Sequence, residues 1–153
     1  MVAITGKMSA FGALLKSNLL AGDDVATWRD IAYVRSIGGP GLTLDMTDVT
    51  GHDSTGGWEE LLPTILRTGE VAFDIEFDPA DVTVEGTTAG LVHKMKDKTL
   101  LTFKIYFNND TVEGSRSIWT LPGYVTGFEP TAPHDGALTA ALKFKITGQP
   151  TLV

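Results

Sequence analysis

The sequence predicts an all-β fold with a minor helical part, an antiparallel β-sandwich or barrel flanked by a short helix. Three segments alternate apolar and polar side chains with a period of two, at residues 70–77, 101–107 and 136–147, as strands with one buried face do. Turn-forming clusters of Gly, Pro, Asn and Asp separate the segments. About seven strands and one or two short helices, without a linker or repeat, predict one domain over residues 1–153.

The first third of the chain predicts two strands and a long loop. Residues 1–16 give only a weak signal, either the start of a strand or a flexible arm. Residues 27–37 predict a strand that ends at the glycine-rich turn 38–41, because Pro40 cannot donate to a ladder. Residues 42–50 alternate Leu and Met with Thr and Asp, and the polar glycine-rich residues 51–57 predict a long loop of the kind that is often functional.

Residues 58–66 predict a short amphipathic helix. The apolar residues that recur at helical spacing are Trp58, Leu61, Leu62, Ile65 and Leu66. Two glutamates lie in the first turn, where the helix dipole favours negative charge. Pro63 removes a backbone donor, so we expect this helix to be short or broken near Leu62.

The second half of the chain predicts five strands and a second short helix. Residues 70–77 give the clearest strand, and residues 101–107, 115–120, 123–129 and 136–147 give four more. Between the first two of these strands, residues 87–98 predict a helix with Thr87 or Thr88 as its N-cap and lysines in its last turn.

Negative charge is concentrated in the middle of the chain. The net charge is −7, and the segment between Asp45 and Glu85 holds eleven carboxylates against one basic residue, Arg67. Such a field argues against wrapping nucleic acid, which relies on clustered Lys and Arg, but not against letting nucleic acid pass. The chain has no cysteine, which excludes thiolate metal sites and thiol nucleophiles. No run approaches the roughly 20 apolar residues of a membrane-spanning helix.

Motifs for catalysis or metal binding are weak. His52, Asp53 and Ser54 are adjacent in sequence and cannot form a spaced catalytic triad. Asp74, Glu76 and their neighbours lack the glycine-containing loop of a calcium site, so a solvated strand face is the better interpretation. We therefore expect no enzymatic activity, no metal and no cofactor. A polarised surface without a site indicates assembly.

Several ordered motifs carry a family resemblance. They are Gly39–Leu42, Asp48–Thr50, His52–Ser54, Gly57–Glu59, Gly69–Val71, Asp78–Pro79 and the segment from Leu121–Tyr124 to Phe128–Glu129. Together they resemble the signature of the major tail tube proteins of long-tailed bacteriophages, particularly the lambda-like family with non-contractile tails. Some members carry an additional C-terminal immunoglobulin-like domain, which we do not expect here.

The resemblance implies a structural virion protein that assembles with itself. Six copies would close into a ring, and rings would stack into a hollow tube through which the phage genome and the tape-measure protein pass. The implied partners also include tail-tip and terminator proteins, and DNA would pass without sequence-specific binding. The implied location is the virion tail, after synthesis in the host cytoplasm.

Three sets of residues are candidates for the contacts of such a tube. The ring-stacking candidates, in a loop from Gly41 to Gly57 and just beyond it, are Gly41, Leu42, Asp45, Asp48, His52, Asp53 and Trp58. The lumen-facing candidates are Asp74, Glu76, Thr102, Lys104, Thr139 and Lys143. The candidates for a basic patch that meets the acidic loop are Lys94, Lys96 and Lys98.

Two other functions remain open from the sequence. The tube of a contractile phage tail or of a type VI-like secretion system shares the ring-forming fold. A ligand-binding β-sandwich, such as a carbohydrate module, would need exposed aromatic residues at a cleft. Trp28, Trp58 and Trp119 lie in apolar contexts, which predicts core positions for all three.

Overall fold

The computed structural model describes residues 13–18, 28–31, 33–85, 90–107 and 118–152. The first strands are β1 (Leu14–Asn18), β2 (Trp28–Asp30), β3 (Val34–Gly38), β4 (Leu42–Asp48) and β5 (Leu61–Thr68). The later strands are β6 (Glu70–Glu76), β7 (Leu101–Tyr106), β8 (Ile118–Thr131), β9 (Thr139–Ile146) and β10 (Thr151–Leu152). A short helix, α1 (Leu91–Lys96), precedes β7. The predicted all-β class with a short helix is confirmed.

One antiparallel sheet contains all the strands except β4 and β5. Its order is β2-β1-β7-β8-β9-β6-β3, and β10 pairs with β8 beside this path. The 14-residue strand β8 pairs with β7 through its first half and with β9 through its second half, with a register shift between Val125 and Gly127. The sheet curls enough that β1 approaches β3, so its two ends come close to closing a barrel.

The core lies on the inner face of this sheet. Alternate residues of β6, β7 and β9 are buried, as the period of two predicts. The rings of Phe103 and Phe144 stack with centroids 3.8 Å apart, and Phe73 meets Phe144 edge to face. Helix α1 covers part of this core, because Leu91 is fully buried. Among the described residues, no helix has the length and apolar character needed to cross a lipid bilayer.

Strands β4 and β5 form a separate hairpin, residues 42–68, which we call the arm. Its base is closed by the Gly69 amide, which donates to the Gly41 carbonyl at 2.7 Å. Two weaker contacts tie the base to β9: Lys145 Nζ donates to the Thr68 carbonyl at 3.2 Å, and Thr68 Oγ1 donates to the Ile146 carbonyl at 3.5 Å. The arm therefore leaves the main sheet at its root.

The predicted helix over residues 58–66 is wrong. Most of this segment is β5, which pairs with β4. Pro63 stands opposite Met46, beside a register shift. No described strand pairs with the other edge of β5, where a missing donor is tolerated. A helix needs a surface against which to bury its apolar stripe, and here the hairpin partner supplies backbone hydrogen bonds instead.

Three other boundaries differ from the predictions. In place of the one predicted strand 27–37, the described residues form β2 and β3, at opposite ends of the sheet order, and Tyr33 between them has φ of 59°. The predicted strands 115–120 and 123–129 fall on the single strand β8 (Ile118–Thr131), except for residues 115–117, which lie outside the described residues. In β8 a side chain at Gly123 would lie 2.4 Å from the Lys145 carbonyl oxygen. The N-cap of α1 is Gly90, and Thr87 and Thr88 lie outside the described residues.

We expect the Phe103–Phe144 stack to contribute strongly to stability. Phe144→Ala should lower the free energy of unfolding by about 3–5 kcal/mol, because it leaves a cavity in a close-packed core. The matched control is Phe107→Ala, since Phe107 is partly exposed and only meets Trp119 edge to face; its cost should be about 1.5 kcal/mol or less. Urea unfolding measures both, and equal losses would contradict the packing described here.

Candidate assembly surface

One face of the arm is apolar and exposed. Directly paired residues in the hairpin share a face, and the register pairs Leu44 with Leu66, Met46 with Pro63, and Leu42 with Thr68. We define the apolar face of the arm as Leu42, Leu44, Met46, Pro63 and Leu66. Leu42, Leu44 and Met46 are 44–48% exposed, and Leu66 is 77% exposed.

The other face of the arm is mixed. The Arg67 guanidinium donates to the Asp45 carboxylate at 2.6 Å, and Thr43 pairs with Arg67 across the hairpin. Thr64 Oγ1 also donates to the Asp45 carbonyl at 3.0 Å. These polar contacts lie in solvent, where they fix the geometry of the arm more than they stabilise it.

The apolar face needs a partner. An isolated two-stranded hairpin is marginally stable in water, and large contiguous apolar patches on a protein surface mark interaction sites. Burying one exposed Leu or Met side chain stabilises by about 1.5–3 kcal/mol. Four such side chains on one strip of hairpin therefore give a surface that favours association.

Hydrogen bonds hold the tip of the arm in one conformation. The Asp48 carboxylate accepts from Thr50 Oγ1 at 2.5 Å and from the Thr50 amide at 2.9 Å. Thr50 Oγ1 in turn accepts from the Glu60 amide, and the Val49 amide donates to the Glu60 carbonyl, both at 2.9 Å. The tip is therefore a built turn that presents the residues between β4 and β5 to solvent.

The structure places all seven predicted ring-stacking residues on the arm or at its base. Gly41 and Leu42 lie at the base, Asp45 and Asp48 lie within β4, and His52, Asp53 and Trp58 lie at the tip. The predicted loop from Gly41 to Gly57 thus begins with the strand β4 (Leu42–Asp48), and its two ends are separated by the length of the arm. Trp58 was predicted in the core and is instead 78% exposed.

Of the other two tryptophans, Trp28 differs from the prediction and Trp119 agrees with it. Trp28 lies on the outer face of the sheet, where the Lys104 ammonium sits 4.1 Å from its ring centroid. Trp119 is partly buried against the core and meets Phe107 edge to face. An alternating apolar context does not distinguish the two faces of a strand in these cases, and only the pairing register does.

The six predicted lumen-facing residues all lie on the outer face of the main sheet. Glu76 pairs directly with Thr139, and Asp74 and Lys143 belong to the same pair of strands, β6 and β9. Thr102 and Lys104 lie on β7, which β8 separates from β9. The structure therefore brings four of the six together and places the other two further along the same face.

Charges on this outer face are partly compensated within the chain. Asp74 accepts from Ser36 Oγ at 2.9 Å, and Glu76 lies 3.9 Å from Arg35. Lys16 pairs with Asp30 at 3.2 Å. Ion pairs at this exposure contribute little stability, but they reduce the positive charge that the face presents.

The three predicted basic-patch lysines lie at the end of α1. Lys94 and Lys96 belong to the helix, and Lys98 follows it with φ of 54°. Lys94 is half-buried, and Asp97 lies between the other two lysines. Within the described part of the chain, no group of three or more His, Asp or Glu residues is placed to hold a metal ion.

Comparison with known families identifies the family to which the chain belongs. The sequence profile described as "Lambda phage tail tube protein, TTP" matches residues 15–153. The chain belongs to the lambda phage tail tube protein family. This tail tube protein is a structural component of the phage tail, and the family resemblance predicted from the motifs is confirmed. A comparison with curated proteins found no match.

Solved structures share the fold of this tail tube protein. A chain of the virion of a native gene transfer agent particle has 19% identity and a TM-score of 0.68, over 96% of this chain and 99% of that chain. A chain from the tail of an empty gene transfer agent particle, refined with C6 symmetry, has 18% identity and a TM-score of 0.65, with the same coverage. A chain of the anti-feeding prophage baseplate has 12% identity and a TM-score of 0.71, over 98% of this chain and 97% of that chain.

The tip network makes a prediction about Asp48. Hydrogen bonds from the Thr50 hydroxyl and then from the Thr50 amide lower the pKa of the Asp48 carboxyl below its ordinary value of 3.8. A lowered pKa means that the contribution of Asp48 to tip order is present above pH 3.8 and is lost as the pH falls through the lowered value. Thr50→Val should raise the pKa towards 3.8, as measured by NMR titration of the carboxyl carbon.

Thr47→Val is the matched control for this titration. It removes a hydroxyl at an exposed position of β4 without touching the hydrogen bonds to Asp48. We expect the pKa of Asp48 to stay low in this variant. An Asp48 pKa unchanged by Thr50→Val would show that the tip is not held by these bonds.

Proposed function

We propose that this tail tube protein closes into hexameric rings that stack into a hollow tube, through which the phage genome passes during ejection. The observation that carries the proposal is the exposed apolar face of the arm in a chain of this family. The C6 symmetry of the similar gene transfer agent tail supports the ring of six. Lateral contacts would close the ring, and axial contacts would repeat without closing.

The arm supplies the axial contact in this proposal. It projects from the main sheet at a hydrogen-bonded root, so it can reach another copy without disturbing the core. Its fixed base and tip reduce the conformational entropy lost on docking. The predicted ring-stacking residues lie along it, which makes the whole arm, and not only a loop, the proposed stacking element.

The outer face of the main sheet supplies the lumen wall. Asp74, Glu76, Lys104 and Lys143 lie on this face, and two of its lysines, Lys16 and Lys104, are held against Asp30 and the Trp28 ring. Carboxylates stand beside the lysines on this wall, so it offers the phosphate backbone little net positive charge. DNA could then slide past without sequence-specific contact.

A tail tube of this kind would contact other tail proteins. We propose a tape-measure protein inside the lumen and terminator and tail-tip proteins at its two ends, after synthesis in the host cytoplasm. Chains of similar fold occur in the solved structures of the anti-feeding prophage cap, a tube-terminating cap, and of the sheath/tube terminator of an extracellular contractile injection system. The family match favours a non-contractile tail over these contractile machines.

The arm proposal predicts a face-specific effect on assembly. Wild-type protein at high concentration should form tubes visible by negative-stain electron microscopy. Leu44→Asp should raise the concentration needed for tubes by at least about tenfold, because it removes about 1.5–3 kcal/mol of burial from each contact. Circular dichroism and urea unfolding should be unchanged, since Leu44 is exposed in the single chain.

Thr43→Asp is the matched control. Thr43 is exposed on the opposite face of the same strand and is paired with Arg67, so a carboxylate there is accommodated. We expect tubes at the wild-type concentration. Equal loss of tubes in both variants would show that the apolar face has no special role, and absence of wild-type tubes would contradict the proposed function.

The lumen proposal predicts protection of one face of the sheet. The chain has no cysteine, so Asp74→Cys introduces one thiol on that face. In the single chain it should react both with a small maleimide and with a maleimide coupled to a globular protein. In tubes the small reagent should still react and the bulky one should not. Equal reaction of both reagents with tubes would place Asp74 on the outside.

A further inference from the structure

Trp58 is the most exposed large apolar residue in the described part of the chain. Its indole lies over the turn at the arm tip, where a side chain added at Gly56 would come within 3.2 Å of the Trp58 Cδ1 atom. The ring is 78% exposed. Tryptophan is the residue most enriched among those that dominate binding energy when they are buried in a partner. An exposed tryptophan on a hydrogen-bonded turn is therefore suited to insert into a recess of a partner.

A recess of suitable size lies at the root of the same arm. It is a groove of about 720 Å³, bounded by β5 on one side and by the turn between β9 and β10 on the other. Such a volume lies within the range of about 300–1,000 Å³ that holds compact ligands. Its apolar lining includes Ile65, Leu66 and Pro150, and its polar lining includes Arg67, Lys145 and Gln149.

The tip of the arm is acidic, and the root offers it a lysine ammonium. Between residues 46 and 66 the arm carries Asp48, Asp53, Glu59 and Glu60, and it carries no lysine or arginine. At the root, Asp45 already compensates Arg67. Lys145 lies opposite Glu70 in the β6–β9 register, but it forms no ion pair with any described residue, and its ammonium donates to the Thr68 carbonyl. Complementary charge of this kind steers two surfaces together and fixes their register.

The arm tip of a chain cannot reach the root groove of the same chain. Strand β5 has eight residues, which separate tip from root by about 26 Å at the usual rise per residue. The tip must therefore enter the groove of a different copy. Because the two surfaces are different patches of one chain, the contact is head-to-tail and can repeat from copy to copy.

We propose that the arm tip of one copy docks in the root groove of a second copy, with Trp58 in the groove and Glu59 and Glu60 beside Lys145. This inference rests on the proposed function, since it names the surface that receives the stacking arm. It differs from the earlier prediction that the acidic residues meet Lys94, Lys96 and Lys98. Charge alone would favour either site, whereas Trp58 adds a requirement for an apolar recess.

Disulfide trapping tests the contact in assembled tubes. The experiment uses Glu59→Cys with Gln149→Cys in the full chain, which has no other cysteine; both positions are exposed, and Trp58 is kept. A disulfide needs Cα atoms within about 7 Å, so no bond can form within one chain. Oxidation of tubes should give a ladder of dimers, trimers and longer chains on a non-reducing gel.

The control pair is Glu59→Cys with Asp97→Cys, which places the second thiol among the α1 lysines. A ladder from this pair and none from the first would overturn the root-groove contact in favour of the helix. Tubes of the first pair without a ladder would also overturn it, while the proposed tube function would stand. Absence of tubes from wild-type protein would instead remove the proposed function itself.

The role of Trp58 has a separate test, which decides whether the arm tip docks in the root groove if the variant with two cysteines does not form tubes. Trp58→Ala should raise the concentration needed for tubes at least tenfold, and Trp58→Phe, which keeps an aromatic ring, should raise it much less. The fold of the single chain should be unchanged in both variants, as judged by circular dichroism. Tubes of Trp58→Ala at the wild-type concentration would overturn the proposal.

Discussion

The structure depends on one constraint: the main sheet completes its core without the arm. The inner residues of β6, β7, β8 and β9, together with Leu91 of α1, fill the interior. The leucines of the arm are exposed, and no other described part of the chain covers them. If a second copy buries them, as we propose, the stable state of this protein depends on its concentration. The single chain leaves these leucines exposed, and the proposed assembly would bury them.

The polar contacts of the arm determine shape more than stability. Three contacts fix the hairpin at its base, its middle and its tip. They are the Gly69–Gly41 hydrogen bond, the Arg67–Asp45 pair and the Asp48–Thr50 turn. Exposed bonds of this kind contribute little free energy. Their effect is that the apolar residues are presented on one side, in one register, before any partner arrives, which lowers the entropy lost on association.

The sequence predicts best where a strand has two different environments. Residues 70–77 and 136–147 alternate because one face is core and the other is solvent, and both were predicted as strands. The arm does not follow this rule, because residues on both of its faces are exposed and the apolar residues of β5 do not alternate with polar ones. The spacing of Trp58, Leu61 and Leu66 therefore matched the spacing expected of a helix. The left-handed conformation of Tyr33 likewise has no signature in the sequence, and it separates two strands that were predicted as one. The position of Trp58 follows from the arm and was mispredicted with it.

The side chains of the apolar face also set how association responds to temperature. Burial of aliphatic groups such as Leu42, Leu44 and Leu66 is driven by the entropy of water near 25 °C, and it weakens on cooling. Ion pairs and hydrogen bonds do not share this dependence. Contacts made through the arm should therefore be strongest in the warm and loosen in the cold, so chilled particles would be the ones in which successive copies separate first.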